Sequence, residues 1–497
     1  MNLASLVAGH PSGAPALHDG STAVSWGELR RRAAGVASGL ADHGVEPGDR
    51  VAIALPTSVD FVAAYLGALA AAAVAVPLNP NSPAAELQSE LYGVEPRLVF
   101  VAGQAREALT AGAMDGVRVL DELPPPGDEG DEGDEGAELA VQPRDDGDLA
   151  VLLYTSGTAG APRAAMLTHG NLHANLEQML ALPGEIARPD DVGLAAIPLF
   201  HVFGLNVALG LVLATGGSLV LEERFDPAAS LELVRDLSVT NIVGAPTMFA
   251  AWADLADGDG AGSLGSVRQV ISGAAALPPD VAERFEARFG IPLWQGYGLT
   301  EASPAVATSL GSGRNRPGSV GRPLPGVDVR IVDEAGADAL AGDPGEIWVH
   351  GPNVFAGYWQ DPAATKEVLT ADGWLRTGDV GVLGEDGDLY VVDRSKDLVI
   401  VSGFNVFPAE VERVARGVPG VEDAVVVGRP DPVTGEAIEL VVVRAPGAAV
   451  TEEQLRDACA ASLARYKCPS GIRFVPELPR GLAGKALRRV LREQLPA

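Results

Sequence analysis

The chain reads as an α/β protein with largely parallel sheets. Short apolar runs recur through its N-terminal part, and segments with helical spacing separate them. From about residue 325 the texture changes to short alternating strands with Gly-Asp turns, which predicts a β-rich subdomain. Taken in order, Ser25-Trp26-Gly27-Glu28 has capping-box spacing, and Leu29, Ala33, Val36 and Leu40 share one helical face, so a helix runs to near Gly44. Pro47-Gly48-Asp49 makes a turn, and residues 51–55 form a strand apolar on both faces. Residues 61–76 are apolar, rich in alanine and stopped by Pro77. At 16 residues the run is shorter than the roughly 18–20 a membrane-spanning helix needs, and it predicts a buried helix leading into a strand. Further buried strands are expected at 150–153, 218–221, 241–243 and 270–271. Ligands of such sheets sit beyond the carboxyl ends of the strands. Gly345-Glu346-Ile347-Trp348-Val349-His350 belongs to the β-rich stretch, about 325–393, and an α+β portion, 394–497, follows. Asp393-Arg394 is taken as the boundary after an N-terminal domain, 1–393.

With 497 residues the chain has room for two to four domains and a large core, which excludes a peptide hormone or a minimal binding module. Its formal charge is −30, so nucleic acid is not an expected partner. Residues 121–148 hold 12 acidic side chains and one arginine, and the Asp-Glu-Gly triplets within them mark 124–148 as an acidic mobile loop. Of 36 basic residues, 32 are arginine; the lysines are Lys366, Lys396, Lys467 and Lys485. The N-terminal residues carry no secretory signal pattern, and Cys459 and Cys468 match no metal-ligand or redox spacing. A cytoplasmic protein is expected, without a transmembrane segment and with peripheral membrane contact and oligomeric state left open.

Chemistry enters at Tyr154-Thr155-Ser156-Gly157-Thr158-Ala159-Gly160-Ala161-Pro162-Arg163, which follows a predicted buried strand. Glycines let backbone N–H groups approach phosphate oxygens, hydroxyls add donors or meet a metal, and a cation offsets charge. The run lacks the Gly-Lys-Ser/Thr of a Walker loop, and by composition alone it is equally an ordinary Gly/Ser/Thr turn.

Four more segments follow in order: Gly296-Tyr297-Gly298-Leu299-Thr300-Glu301, Trp374-Leu375-Arg376-Thr377-Gly378-Asp379, Asp393-Arg394-Ser395-Lys396-Asp397 and Gly484-Lys485. Together the five strongly resemble the adenylate-forming superfamily of acyl-CoA synthetases, adenylation domains and luciferases, over essentially the whole chain. The stretches from Gly351-Pro352-Asn353 to Gly357-Tyr358-Trp359 and from Val401 to Pro408 look closest to bacterial medium- and long-chain fatty acyl-CoA synthetases.

The resemblance implies two α/β sheet subdomains plus the β-rich subdomain, with a small, mobile C-terminal domain. It implies ATP, Mg²⁺ and CoA as cosubstrates and cofactor, with a fatty acid activated as acyl-AMP and transferred to CoA. By the same resemblance Thr155, Ser156, Gly157, Thr158 and Gly160, with Arg163, hold the β- and γ-phosphates, and Glu301 with Thr155 places Mg²⁺. Gly273, Ala274, Ala275, Gln295, Gly296, Tyr297, Gly298 and Thr300 serve the nucleotide; Asp379 takes the ribose, and Arg394 adds a contact. Lys485 is the adenylation lysine, Lys396 the hinge, and Ser402, Gly403 and Phe404 the CoA channel. His201, Val202, Phe203 and Gly296 fall in the acyl pocket, where no excess of arginine awaits a second carboxylate.

Physical needs agree with these roles. Joining a carboxylate to a polyphosphate brings anions together, and cations with oriented donors offset the repulsion. Lys485 offers a compact point charge where a guanidinium is larger and directional. Three departures stand out: Ala159 for the usual Thr, Arg163 for Lys and Ala164 for Gly, and activity is expected despite them. Competing readings are transfer of the acyl group to a carrier protein, a luciferase-like oxygenation, and a catalytically silent nucleotide or acyl binder.

Overall fold

The structure, a computed structural model, describes the whole chain except residues 21, 111–116, 127–137, 156–161, 257–263, 314, 395–398, 402–403, 407, 432–433, 464, 482–485 and 495–497. By packing, the chain forms two compact units. One comprises Met1–Val329 and Val349–Arg376; the other comprises Arg330–Trp348 and Thr377–Ala497. The β-rich stretch is thus shared between the two.

The first unit holds two sheets. In one, Pro15–Asp19, Ser218–Leu221, Val192–Ala195, Asn241–Gly244, Gln269–Ser272 and Leu293–Gly298 run parallel in that spatial order. Thr22–Ser25 pairs antiparallel at one edge, and Ala305–Thr308 and then Ser319–Pro323 extend the other. In the second sheet Arg118–Leu120, Leu98–Val101, Arg50–Ala54, Val74–Pro77 and Leu149–Thr155 are parallel, and Arg163–Thr168 folds back antiparallel on the last. The expected α/β class is what these strands build.

Local chemistry explains the elements. Ser25 accepts the Glu28 N–H at 3.2 Å and starts the helix Trp26–Asp42, after which Gly44 turns the chain at φ +70°. Only half of the capping box forms, because the Glu28 carboxylate pairs with Arg32 one turn on, at 2.7 Å. The apolar run becomes the buried helix Val59–Ala70, capped by Ser58, and then the buried strand Val74–Pro77. No described helix is long and apolar enough to cross a membrane.

In the second unit, Gly435–Arg444 lies between Val421–Asp431, antiparallel, and Gly471–Val475, parallel. The helices Pro408–Arg416 and Glu452–Ser462 pack on this sheet with Val411, Ala415, Leu455 and Cys459 buried among strand valines. Val425, Val427, Val441 and Val443 form a second apolar cluster with Leu478 and Leu491. Val421–Asp431 ends the strand order on its side.

Candidate active site

The two ends of the predicted phosphate loop, Thr155 and Arg163, are paired in the second sheet. Thr155 ends one strand and faces Arg163 at the start of the next, its hydroxyl 3.4 Å from the Arg163 carbonyl. Ser156, Gly157, Thr158 and Gly160 lie outside the described residues, as does Ala159. Residues 356–359 then add to the edge of Arg163–Thr168: Ala356 N donates to Met166 O, Met166 N to Gly357 O, and Trp359 N to Ala164 O. Ala164, the alanine in place of glycine, is buried in this pairing without disturbing it.

That edge brings Tyr358 to Glu301. The phenol donates to Glu301 Oε1 at 2.7 Å, and the Phe355 N–H binds the Glu301 carbonyl at 2.9 Å. Burial first, then the neighbouring Glu301 carboxylate, raises the Tyr358 pKa far above the usual phenol value, so the donor keeps its proton. Arg163 lies 5.6 Å from the centre of the Tyr358 ring and 3.3 Å from Asp361, so part of its charge is directed to an acid of the same edge. Gly357 makes the approach possible. Its φ is +118°, and a Cβ there would lie 2.6 Å from the Thr365 methyl, while Thr365 Oγ1 accepts the Tyr358 N–H.

Three buried asparagines fix the turn that carries Glu301. Asn353 donates to Ala302 O, Asn206 to Ser303 O, and Asn175 both donates to Ala305 O and accepts its N–H. Thr300 opens this short 3-10 turn, directly after Leu293–Gly298. Gln295 is buried, its backbone bonded to the Ser309 and Thr308 hydroxyls, and Tyr297 is half-buried opposite Ala307. Gly298 has no room for a side chain: a Cβ would stand 2.1 Å from the Pro304 carbonyl oxygen. Gly296 is different, with nothing nearer to such a Cβ than Ala307 O at 3.6 Å. Gly298→Ala is therefore expected to lower unfolding stability by about 1–3 kcal/mol and Gly296→Ala to leave it near the parent value, as read by urea denaturation.

The predicted acyl segment meets the predicted nucleotide segment. Phe203 begins a π-helix, Phe203–Gly210, and its ring lies against Gly273, where a Cβ would come within 2.6 Å of ring carbon Cζ. Ala274 follows at φ +65° and Ala275 is half-buried. Val202 is buried, and His201 accepts the Phe203 N–H on Nδ1 at 3.3 Å. Burial lowers the His201 pKa, so the ring is neutral at pH 7 with its proton on Nε2.

In the second unit Asp379 is buried opposite Arg394 in the strand pair Leu375–Leu383 and Leu389–Arg394. Its N–H bonds to Thr377 Oγ1, which itself donates to Ile347 O at 2.7 Å. Phe404 lies in the strand Phe404–Val406. Lys396, Ser402, Gly403 and Lys485 fall outside the described residues.

This arrangement has counterparts. A family model described as AMP-binding enzyme matches residues 4–359, and one described as AMP-binding enzyme C-terminal domain matches 410–485. The chain belongs to the AMP-binding enzyme family. Among relatives of this family, a feruloyl-CoA synthase from Amycolatopsis sp is 39% identical, over 97% of this chain and 96% of its own. A long-chain-fatty-acid–CoA ligase from Bacillus subtilis is 35% identical over 92% and 88%. The ATP-bound structure of MatB from Rhodopseudomonas palustris superposes with a TM-score of 0.91 at 34% identity, covering 99% of this chain and 98% of that one.

Sequence reasoning missed the groups that hold Glu301. Tyr358 and Asn353 served only as marks of resemblance, and Asn175 and Asn206 went unnoticed, as did Asp361, the partner of Arg163. The Gly-Tyr-Trp triplet was the available signal, since a glycine ahead of two aromatics marks a backbone turned to deliver a ring.

Proposed function

We propose that this AMP-binding enzyme is an ATP-dependent fatty acid–CoA ligase. It joins the fatty acid carboxylate to the α-phosphate of ATP with release of pyrophosphate, then passes the acyl group to the CoA thiol with release of AMP. The observation that carries the reading is the Glu301–Tyr358 bond, with Arg163 against the Tyr358 ring and Thr155 paired to Arg163.

In this reading Thr155, Ser156, Gly157, Thr158 and Gly160 donate to the β- and γ-phosphates. Mg²⁺, when bound, offsets phosphate charge and takes one or two protein oxygens, and the Glu301 carboxylate and Thr155 hydroxyl are hard donors of that kind. Tyr297 offers its face to adenine, beside Gly273, Ala274 and Ala275. Asp379, with two acceptor oxygens, takes both ribose hydroxyls, aided by Arg394. Lys485 bridges the acid's carboxylate and the α-phosphate. Rotation at Lys396 then swings the chain that follows it, so that Ser402, Gly403 and Phe404 line the path of the thiol. The acid lies along His201, Val202, Phe203 and Gly296; neutral His201 donates from Nε2 without adding charge. Free Cys459 and Cys468 fit a reducing cytoplasm.

A second reading, an aryl-propenoic acid in place of the fatty acid, is favoured by the feruloyl-CoA synthase at 39% identity. A carboxylate panel scored for pyrophosphate release and then for CoA thioester separates the two. Medium- and long-chain fatty acids are expected to give the highest kcat/KM. Preference for ferulate or coumarate overturns the fatty acid assignment, and pyrophosphate release with acyl transfer only to a phosphopantetheinylated carrier overturns CoA as acceptor.

A further inference from the structure

Arg488 opens the helix Arg488–Gln494, whose first turn contains no acid. A cation there opposes the helix dipole, so the helix itself gives no reason for it. Its partners do. Arg488 donates to Glu412 Oε1 at 2.7 Å and to the Val426 carbonyl at 3.2 Å, and the same Glu412 oxygen accepts the Val426 N–H at 2.8 Å. Glu412 is 4% exposed. The two side chains thus close a ring of hydrogen bonds around one residue of the outermost strand, Val421–Asp431, taking the place a neighbouring strand would have.

The chain ahead of Arg488 is tied to the same strand. Leu487 N donates to Pro479 O at 2.8 Å, Arg480 pairs with Ala486 as an antiparallel bridge, and the Arg480 guanidinium pairs with Asp423. Ala486 packs on the apolar cluster of Val425, Val427, Val441 and Val443. Both flanks of residues 482–485 are therefore anchored, one by Arg480 to Asp423 and the other by Arg488 to Glu412. A buried ion pair is a weak source of stability compared with packed apolar residues, and its best-attested benefit is fixing one arrangement.

We propose that Arg488, locked by Glu412, is a positioning residue for Lys485: it fixes the chain immediately after Lys485 so that the ammonium meets the reacting oxygens without a further ordering cost. This rests on Lys485 being the adenylation cation. A misplacement of about 1 Å far from the reacting atoms costs about 10²-fold in rate, and that sets the size of the effect.

The test follows each half-reaction separately in the full-length protein. In Arg488→Ala and Glu412→Gln, acyl-adenylate formation is expected to fall about 10- to 100-fold in kcat with little change in the KM for ATP. Thioester formation from supplied acyl-adenylate and CoA is expected to stay within about 3-fold, which also reports an intact fold. Arg488→Lys keeps the charge but lacks the planar fork that presents Nε to Val426 O and a second nitrogen to Glu412, and is expected to lose adenylation as well. In a Lys485→Ala background, Arg488→Ala is expected to add no further loss.

A parallel fall of both half-reactions overturns the proposal, as does an Arg488→Ala loss that persists in full without Lys485. Unchanged adenylation in Lys485→Ala alone overturns the role of the lysine, and the positioning role with it. That outcome is visible before Arg488 is altered.

Discussion

Lys485→Ala is expected to lower acyl-adenylate formation about 10²- to 10³-fold, the usual cost of removing one preorganised group aimed at developing charge. The two reacting partners are both anions, and the new bond forms only when the carboxylate oxygen comes within contact of an α-phosphate that carries its own charge. A positive charge shared between them is worth more as they approach than when either binds alone, so the loss falls on kcat more than on KM. Once acyl-AMP exists, the anion–anion problem is over, and thioester formation from supplied acyl-adenylate should continue near the parent rate. Lys485→Arg keeps a cation at this position but is expected to retain little adenylation, because a planar guanidinium takes more room than an ammonium. Unchanged ATP–pyrophosphate exchange in the alanine variant would remove this role.

The second large effect is expected at Glu301. Glu301→Gln keeps the shape and a hydrogen-bond partner for Tyr358 but deletes the negative charge, and the Mg²⁺ concentration that half-saturates adenylation should rise at least about 10²-fold. Tyr358→Phe is the graded control: it removes only the 2.7 Å bond to Glu301 Oε1, and the same titration should shift by about 10-fold. If Glu301→Gln leaves the Mg²⁺ requirement unchanged, Glu301 does not place the ion, and the Tyr358 bond is a structural tie of the 3-10 turn.

Much of the fold was legible because its signals are local. Ser25 and Ser58 cap helices that begin where the apolar periodicity begins, and the runs at 150–153, 218–221, 241–243 and 270–271 all lie in parallel strands. The spacing of Ser25 and Glu28 predicts a complete capping box, whereas Arg32 competes for the carboxylate, a choice made by the helix surface after folding. Residues 203–210 are apolar almost throughout, so no period distinguishes an α-helix from the π-helix they form. At the site, the segments carrying Thr155, Arg163, Gly273, Tyr297 and Glu301 could be found by motif. Their supports could not, because each acts across a long stretch of chain. Tyr358 reaches back 57 residues to Glu301, and Asn175 reaches forward 130 to Ala305. Such contacts leave no periodicity in the sequence and are set by which strand edge remains open once the sheets have formed.

The π-helix has a consequence for how this segment changes through evolution or engineering. Each of its turns closes i→i+5 rather than i→i+4, so the segment carries surplus chain length. A substitution of Phe203 alters only the packing on Gly273, but a single-residue deletion within 203–210 would let the helix relax to α spacing. With the surplus residue gone, the chain on either side could keep its place, whereas the same deletion in an α-helix turns every later side chain by about 100° about the axis. Only a deletion that removes or displaces Asn206 would break its bond to the Ser303 carbonyl and cost the Glu301 turn one of its ties. The segment can therefore change length where an α-helix could not, and the position of the change relative to Asn206 decides whether the Glu301 turn is disturbed.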